Sequence, residues 1–238
     1  RIKDGKKFIN NSQLYLFYDF EFHQTKQSII MAECNKSLSK KHLVSGPTFI
    51  KQIEPEKKNV CYNLIFFNSS LNSEKPLNIH SSHSIFLDLI LKMSSNTEYK
   101  ILFKSKFNIK IYENYNFDLK RKIFDIKNKK NINIIDTDYD LYNLVNGDPI
   151  SILMPFASPF LVSLVKKKKF FFVDFLNIYK NSFFSSYDDL IKYNLSDAIQ
   201  YIDILRNIPL KEYSKNISKL YFDTFDTHED IISKKNLY

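Results

Sequence analysis

The stretch QLYLFYDFEF (residues 13–22) joins a nearly continuous apolar run to two carboxylates, Asp19 and Glu21, at its end. Apolar residues occupy both faces of the run, which predicts a central strand buried in a sheet. Alternate residues of a strand face the same way, so the two carboxylates project side by side. Such neighbours repel and are costly to desolvate unless a cation lies between them. The pattern therefore favours a platform for Mg²⁺ or Mn²⁺, and a pair of these ions can clamp both oxygens of a phosphodiester displacement.

The acidic spacing alone leaves a second interpretation open. Glu54 with Glu56, and Asp136 with Asp138, have the same spacing elsewhere in the chain. An acidic strand end that faces water would show the same pattern. What distinguishes Asp19 and Glu21 is their place on the first apolar strand.

Strand patterns come first along the chain, and helical and strand patterns then alternate. This order predicts an α/β layered domain in which a sheet is flanked by helices. Lys-rich excursions are expected near 35–58 and 125–169. The segments are an antiparallel strand set at 13–22, 28–34 and 59–67, helices at 84–93, 110–124 and 187–207, and strands at 98–103, 132–136 and 170–175.

The positive charge of the chain comes almost entirely from lysine. The formal net charge is +9, and only three residues are arginine: Arg1, Arg121 and Arg206. A basic chain favours a polyanion as partner. Lysine acts as a point charge, whereas arginine forms bidentate contacts with phosphate and guanine. The composition therefore predicts contacts along a nucleic-acid backbone without base-specific readout.

Three short motifs follow one another: DFE at 19–21, NYNFD at 114–118 and YNLSDA at 193–198. In this order they resemble the exonuclease motifs of the DEDD superfamily. The likeness is greatest to its tyrosine branch, which includes the proofreading domains of family-B DNA polymerases and ribonuclease D-like enzymes. The segment at 170–190 is loosely similar to a stretch of the protein-primed plasmid and organelle polymerases.

This resemblance implies a ribonuclease H-like fold, a mixed sheet flanked by helices, in a single exonuclease-like domain over residues 1–238. It also implies a metal-dependent 3′-5′ exonuclease that acts on single-stranded nucleic acid with two Mg²⁺ or Mn²⁺ ions. Asp19, Glu21, Asp118 and Asp197 would hold the ions, Tyr193 would orient or help deprotonate the attacking water, and Asn114 would line the path of the strand.

The third motif departs from the expected pattern. Tyr193 and Asp197 share a helix face because they are four residues apart. That face lies nearly opposite the apolar stripe of the predicted helix, which begins with a capping box at Ser186 and ends before Pro209. A rival third motif of the histidine branch surrounds His228, although a serine replaces the aspartate expected five residues later.

Lysines near the second motif are candidates for contacts with phosphates, with Phe or Tyr rings stacking on bases. They are Lys104, Lys106, Lys110 and Lys120. The same features fit a non-catalytic nucleic-acid-binding protein on a degenerate exonuclease fold. Such a protein would be an organellar ribosomal component or a replication factor, within a larger replication or ribonucleoprotein assembly.

A different nuclease class is suggested by Asp88 and the sequence EYK at 98–100, which imitate the acid…ExK core of restriction-type nucleases. Asp88 lies in a helical pattern instead of a turn, which argues against this class. Glycine-rich phosphate loops are nearly excluded, because the whole chain has three glycines.

The uncharged segment 149–165 is followed by four lysines, as a membrane anchor would be. Pro155 and Pro159 interrupt it, so we interpret it as buried or interface-forming. Cys34 and Cys61 lack partners at metal-binding spacing. A disulfide between them is one alternative; we favour two free thiols in an intracellular, reducing compartment. A composition rich in Phe, Asn, Ile and Lys indicates an AT-biased gene, as in mitochondria or other organelles, viruses and plasmids.

Overall fold

The computed structural model describes residues 20–23, 41–44, 62–69, 76–136, 144–145, 147–154, 159–177 and 189–218. The chain divides into two compact units. One contains residues 1–53 and 215–238, and the other contains residues 54–214. The prediction of a single domain over the whole chain stays a prediction, and each unit is described by itself.

The first unit contains two strands, β1 (Phe20–His23) and β2 (Lys41–Val44). They pair in parallel, with Phe20 opposite Lys41. β1 falls at the end of the predicted strand 13–22, whereas β2 falls in the segment that was predicted as a Lys-rich excursion. Asp19 and the predicted strand 28–34 lie outside the described residues.

The second unit is built around a six-stranded sheet in which every pairing is parallel. The spatial order of the strands is β5-β4-β3-β6-β7-β8. Its elements, in chain order, are β3 (Leu64–Phe67), α1 (Pro76–Ser94), β4 (Ile101–Ser105), α2 (Lys110–Tyr115), α3 (Phe117–Lys127), β5 (Ile132–Asp136), β6 (Ile150–Leu153), α4 (Pro159–Val165), β7 (Phe170–Val173), β8 (Ile191–Lys192), α5 (Leu195–Asn207) and α6 (Leu210–Asn216).

The strand sequences explain why the sheet is parallel and buried on both faces. LIFF, ISIL and FFFV are buried at every position, and near-continuous apolar runs are typical of parallel sheets covered by helices. In β7, Phe170 and Phe172 contact Phe160 of α4, with ring centroids 6.5 and 5.5 Å away. Phe171 contacts Tyr201 of α5 at 5.2 Å. Successive strand residues face opposite ways, so α4 and α5 cover opposite faces of the sheet.

These observations confirm the predicted α/β class, with helices flanking a sheet. The predicted antiparallel set is wrong for residues 64–67, because β3 pairs in parallel with both β4 and β6. The physical reason is the connection: β3 reaches β4 through the 19-residue helix α1, and such a crossover joins parallel strands. Among the described residues the sheet is wholly parallel and not mixed.

The predicted helix 187–207 is shorter than expected. Residues 191–192 instead form β8, which pairs with β7, so sheet pairing at this position overrides the helical pattern. The helix begins after Asn194, whose side-chain oxygen accepts a hydrogen bond from the Asp197 amide at 2.8 Å. Its apolar stripe is confirmed, because Ala198, Ile202 and Leu205 are buried.

The described parts of the uncharged segment 149–165 include β6 and α4, which are largely buried, in agreement with the predicted buried role. No helix within the part of the chain that the structure describes is long and apolar enough to span a bilayer.

Candidate ligand-binding site at the carboxyl side of the sheet

The order of strands reverses direction between β3 and β6. From β3 the chain moves outward through β4 to β5, and it then returns to β6 on the other side of β3 and moves outward through β7 to β8. In open parallel sheets, such a reversal leaves a crevice outside the carboxyl ends of the two central strands, and ligands bind there. We call the side of the sheet where the strands end the carboxyl side, and the opposite side the amino side.

Asn68, the first residue after β3, is at the centre of a buried hydrogen-bond network on the carboxyl side. Its side chain is 2% exposed. The amide nitrogen donates to Ser105 Oγ at 3.1 Å and to the Tyr112 hydroxyl at 2.8 Å. The amide oxygen accepts from the backbone N–H of Lys106 at 2.6 Å. This one side chain therefore fixes the loop after β3 to the loop after β4.

The network continues into the helices. The Tyr112 hydroxyl of α2 lies 2.6 Å from Nδ1 of His83, which is buried on α1. Ser105 Oγ donates to the Phe107 carbonyl at 2.7 Å. Groups from two strand ends and two helices thus support one another, so the ends of β3 and β4 are held in one geometry before any ligand arrives.

The amino side of the same two strands offers a direct comparison. There Asn63 Oδ1 accepts from the backbone N–H of Lys100 at 2.7 Å, and both residues are exposed. An asparagine thus ties β3 to β4 at each end, but only the one on the carboxyl side is buried within a network. Lys100 and Lys106 are a matched pair of exposed lysines, one before and one after β4.

Other polar groups follow β3, β6 and β7 on the carboxyl side. Ser69 Oγ donates to the sulfur of Met154 at 3.8 Å, just after the ends of β3 and β6. Asp174 follows β7 directly and is 1% exposed, and it is the only acidic residue that is buried within the described residues. Hydroxyl, amide, ammonium and carboxylate groups therefore all lie at the strand ends around the reversal point.

Burial raises the pKa of Tyr112 well above its ordinary value near 10, since ionisation would place a charge in the core. The neutral phenol accepts from Asn68 and can donate its own proton to His83. Burial also raises the pKa of Tyr213, whose hydroxyl donates to the Phe170 carbonyl at 2.8 Å.

We expect alkaline pH to unfold the protein partly through Tyr112. A tyrosine whose folded pKa is raised contributes stability that is fully present below the unfolded pKa and is lost as the pH rises above about 10. Chemical denaturation between about pH 9 and pH 11 should show the free energy of unfolding falling, and Tyr112→Phe should remove up to about 1.4 kcal/mol per pH unit from that slope. Equal slopes for the wild type and Tyr112→Phe would contradict the assignment.

The predicted metal ligands differ in how much of each the structure describes and in how exposed each one is. Asp19 lies outside the described residues, and Glu21 is on β1, where only the backbone is described. Asp197 is exposed in the first turn of α5, where the Asn194 amide donates to its carboxylate at 2.7 Å. The exposure of Asp197 agrees with its predicted position opposite the apolar stripe. Tyr193 is half-buried just before the helix.

Asp118 is held by protein groups at the start of α3. Its Oδ2 accepts from Ser84 Oγ at 2.5 Å and lies 3.3 Å from the Lys122 ammonium, while Oδ1 lies 3.4 Å from Arg121. The Ser84 hydrogen bond and then Lys122 lower the pKa of the Asp118 carboxyl. Lys122 also contacts Asp88 at 2.7 Å, so a lysine lies where a bridging cation would lie between these two acids.

The described residues do not provide the implied metal site. No group of three or more His, Cys, Asp or Glu side chains within the described ranges is placed to hold an ion. Asp118 is paired with Lys122 and Arg121 in this structure. The four-carboxylate site and its Mg²⁺ or Mn²⁺ ions stay a prediction.

The predicted nucleic-acid-binding residues divide into two groups. Lys106, Lys110, Asn114 and Lys120 are exposed on the β4–α3 segment. Lys104 is only 9% exposed and donates from its ammonium to the Ser105 carbonyl at 3.0 Å.

A groove of about 620 Å³ is lined by α1, α3 and Leu195 at the start of α5. Ser95 and Asn128, which contribute to its lining, stand at the helix ends that lead into β4 and β5, and this is the amino side of the sheet. Its charged lining includes Asp88 and Lys92, so it shows no preference for one sign of charge. We therefore do not place the ligand there.

Sequence reasoning missed Asn68, Ser69 and Asp174. A signal for them exists, because each follows a wholly apolar strand in NLIFFNSS or FFFVDF.

Comparisons of the chain with known protein families, with curated proteins and with solved structures gave no match.

Proposed function

We propose that residues 54–214 form a domain that binds a nucleotide of the nucleoside diphosphate class in the crevice at the carboxyl ends of β3 and β6. One observation carries the proposal: six parallel strands whose order, β5-β4-β3-β6-β7-β8, reverses between β3 and β6. A doubly wound sheet with this order binds nucleotides at the reversal point in many unrelated proteins. The proposal rests on this architecture, and the residues at the strand ends supply its chemistry.

The chemistry of the carboxyl side suits a nucleotide. Lys106 offers a cation for phosphate, and Ser69 offers a hydroxyl. The amino end of α1 follows β3 and therefore lies on this side, where unpaired backbone N–H groups and the helix dipole favour an anion.

The phosphate would be held in a way that differs from the glycine-rich fingerprint. The connection after β3 reads NSSLNSEK (68–75) and contains no glycine. The Ser69 hydroxyl, at the start of this connection, would take the place of a backbone N–H group that a glycine normally exposes to phosphate. We therefore expect moderate affinity and no requirement for a dinucleotide.

Titration calorimetry on the full chain tests the proposal. The ligands are the four common ribonucleoside diphosphates, the matching nucleosides and inorganic phosphate. We expect at least one diphosphate to bind more tightly than its nucleoside and phosphate do separately, because both halves of the ligand are recognised. No binding by any diphosphate at millimolar concentration would overturn the proposal.

The same titration separates the proposal from the predicted nucleic-acid partner. A short single-stranded oligonucleotide is titrated under identical conditions. If it binds and every diphosphate fails, the domain recognises a polymer and the nucleotide proposal is lost. The 3′-5′ exonuclease reaction stays a prediction, and no step of the present proposal depends on it.

A further inference from the structure

The outer face of α3 leaves large aromatic side chains in water. Phe117 is 81% exposed and Phe124 is 64% exposed. Tyr115 and Ile111 of α2 are 42% and 40% exposed. Only one other large apolar residue in the described ranges, Ile204, is exposed to a similar extent. Burying a large apolar side chain is strongly favourable. Four exposed large apolar residues on one segment therefore indicate a surface that binds another molecule.

The exposed residues of α3 form one stripe. Leu119, Ile123 and Ile126 are buried on the inner face of the helix. Phe117, Arg121 and Phe124 recur at spacings of four and three residues, so they share the opposite face. The two phenylalanines are about 10 Å apart along the helix axis, with Arg121 between them. We call Phe117, Lys120, Arg121 and Phe124 the α3 stripe.

Positive charge surrounds the α3 stripe. Residues 106–130 contain eight Lys or Arg and three Asp or Glu, an excess of five within a chain whose net charge is +9. Two of the three acids are paired, Glu113 with Lys127 and Asp118 with Lys122, and the third, Asp125, is exposed on α3. Such an excess repels a second copy of the chain and attracts an anionic partner.

The shape and chemistry of this surface favour a lipid bilayer over a nucleic acid. Proteins that bind single strands use a positively charged groove, whereas the α3 stripe is the convex outer face of a helix. Aliphatic side chains, such as that of Ile111, do not stack on bases. They are, however, suited to the boundary between lipid headgroups and acyl chains. Aromatic side chains and Lys or Arg on one segment are the usual composition of a surface that lies in this boundary.

We propose that the α3 stripe and its surrounding lysines dock the protein on an anionic lipid surface. Phe117 and Phe124 enter the headgroup boundary, and Lys120 and Arg121 contact lipid phosphates and carboxylates. Binding is reversible and weakens as salt rises, because part of it is electrostatic. This inference is separate from the nucleotide proposal, since none of the four residues of the α3 stripe belongs to the carboxyl-side network.

Co-sedimentation of the full chain with vesicles tests the inference. The vesicles contain phosphatidylcholine alone or phosphatidylcholine with phosphatidylserine. We expect binding to the mixed vesicles at low salt, little binding to phosphatidylcholine alone, and release at high salt. Absence of binding to the mixed vesicles, or equal binding to both kinds, would overturn the inference.

Matched variants locate the surface. The double variant Phe117→Ser/Phe124→Ser should weaken binding to the mixed vesicles by about tenfold or more, because both anchors are lost. Ile204→Ser removes an exposed apolar residue on α5 and should change binding by less than about twofold. Equal effects of the two changes would contradict the assignment to α3.

The charge contribution has its own pair of variants. Lys120→Glu/Arg121→Glu should abolish the preference for phosphatidylserine, while Lys211→Glu, at an exposed position of α6, should keep it. A single-stranded oligonucleotide is tested alongside. Suppose that the wild type binds the oligonucleotide but not the vesicles, and that the phenylalanine and charge variants no longer bind the oligonucleotide. The partner is then a nucleic acid and the lipid inference is wrong. Thermal unfolding midpoints of all variants confirm that each protein is folded.

Discussion

Replacing Asn68 by leucine should lower the free energy of unfolding by about 3 kcal/mol. The substitution keeps a similar side-chain volume but removes the hydrogen bonds to Ser105, Tyr112 and the Lys106 amide. Each bond contributes about 1 kcal/mol, and the part-buried backbone N–H of Lys106 loses its acceptor. Chemical denaturation at neutral pH measures the loss.

The control for Asn68 is the asparagine at the other end of β3. Asn63 makes the equivalent bond to the Lys100 amide but is exposed, so water can replace its side chain. Asn63→Leu should therefore lower the free energy of unfolding by less than about 1 kcal/mol. Equal losses for the two variants would show that the carboxyl side is not the more tightly organised end of the strand pair.

Reversing the charge of Lys106 should lower the affinity for a nucleoside diphosphate by about tenfold or more. Lys106→Glu replaces a cation at the carboxyl end of β4 with an anion that repels phosphate, and a tenfold change in affinity corresponds to about 1.4 kcal/mol. Lys100→Glu makes the same change at the amino end of that strand and should alter affinity by less than about twofold. Calorimetric titration with the best diphosphate measures both.

Both lysines are exposed, so neither change should lower the free energy of unfolding by more than about 0.5 kcal/mol. This separates a binding effect from a folding effect. If Lys100→Glu weakens binding as much as Lys106→Glu does, the effect reflects net charge and the site is not at the carboxyl side.

The sequence allowed the class of the fold to be predicted, because strand and helix patterns are local. The buried positions Ala198, Ile202 and Leu205 follow from helical spacing alone. The residue at which that helix begins could not be predicted, because Ile191 fits the helical stripe but pairs with Phe172 of β7. A strand partner nineteen residues away in the chain cannot be predicted from the local sequence pattern.

The candidate site could not be predicted for the same reason. Asn68 bonds to groups 37 to 44 residues away in the chain, and their proximity depends on which strands are neighbours. Strand order is a property of the whole sheet, so NSS after an apolar run resembles an ordinary polar loop. The acidic motifs predicted a metal ligand at Asp118. In the structure its carboxylate accepts a hydrogen bond from Ser84 of α1 and forms an ion pair with Lys122 of α3.

Hydrogen exchange of the full chain, with and without the tightest-binding nucleoside diphosphate, tests the location of the site most directly. We expect slower exchange in the ligand complex at the carboxyl ends of the strands, in residues 67–69, 105–107 and 153–154. We expect no change at the amino ends, in residues 62–63 and 99–100. Protection confined to the amino ends, or found equally at both, would contradict a nucleotide site in the crevice between β3 and β6.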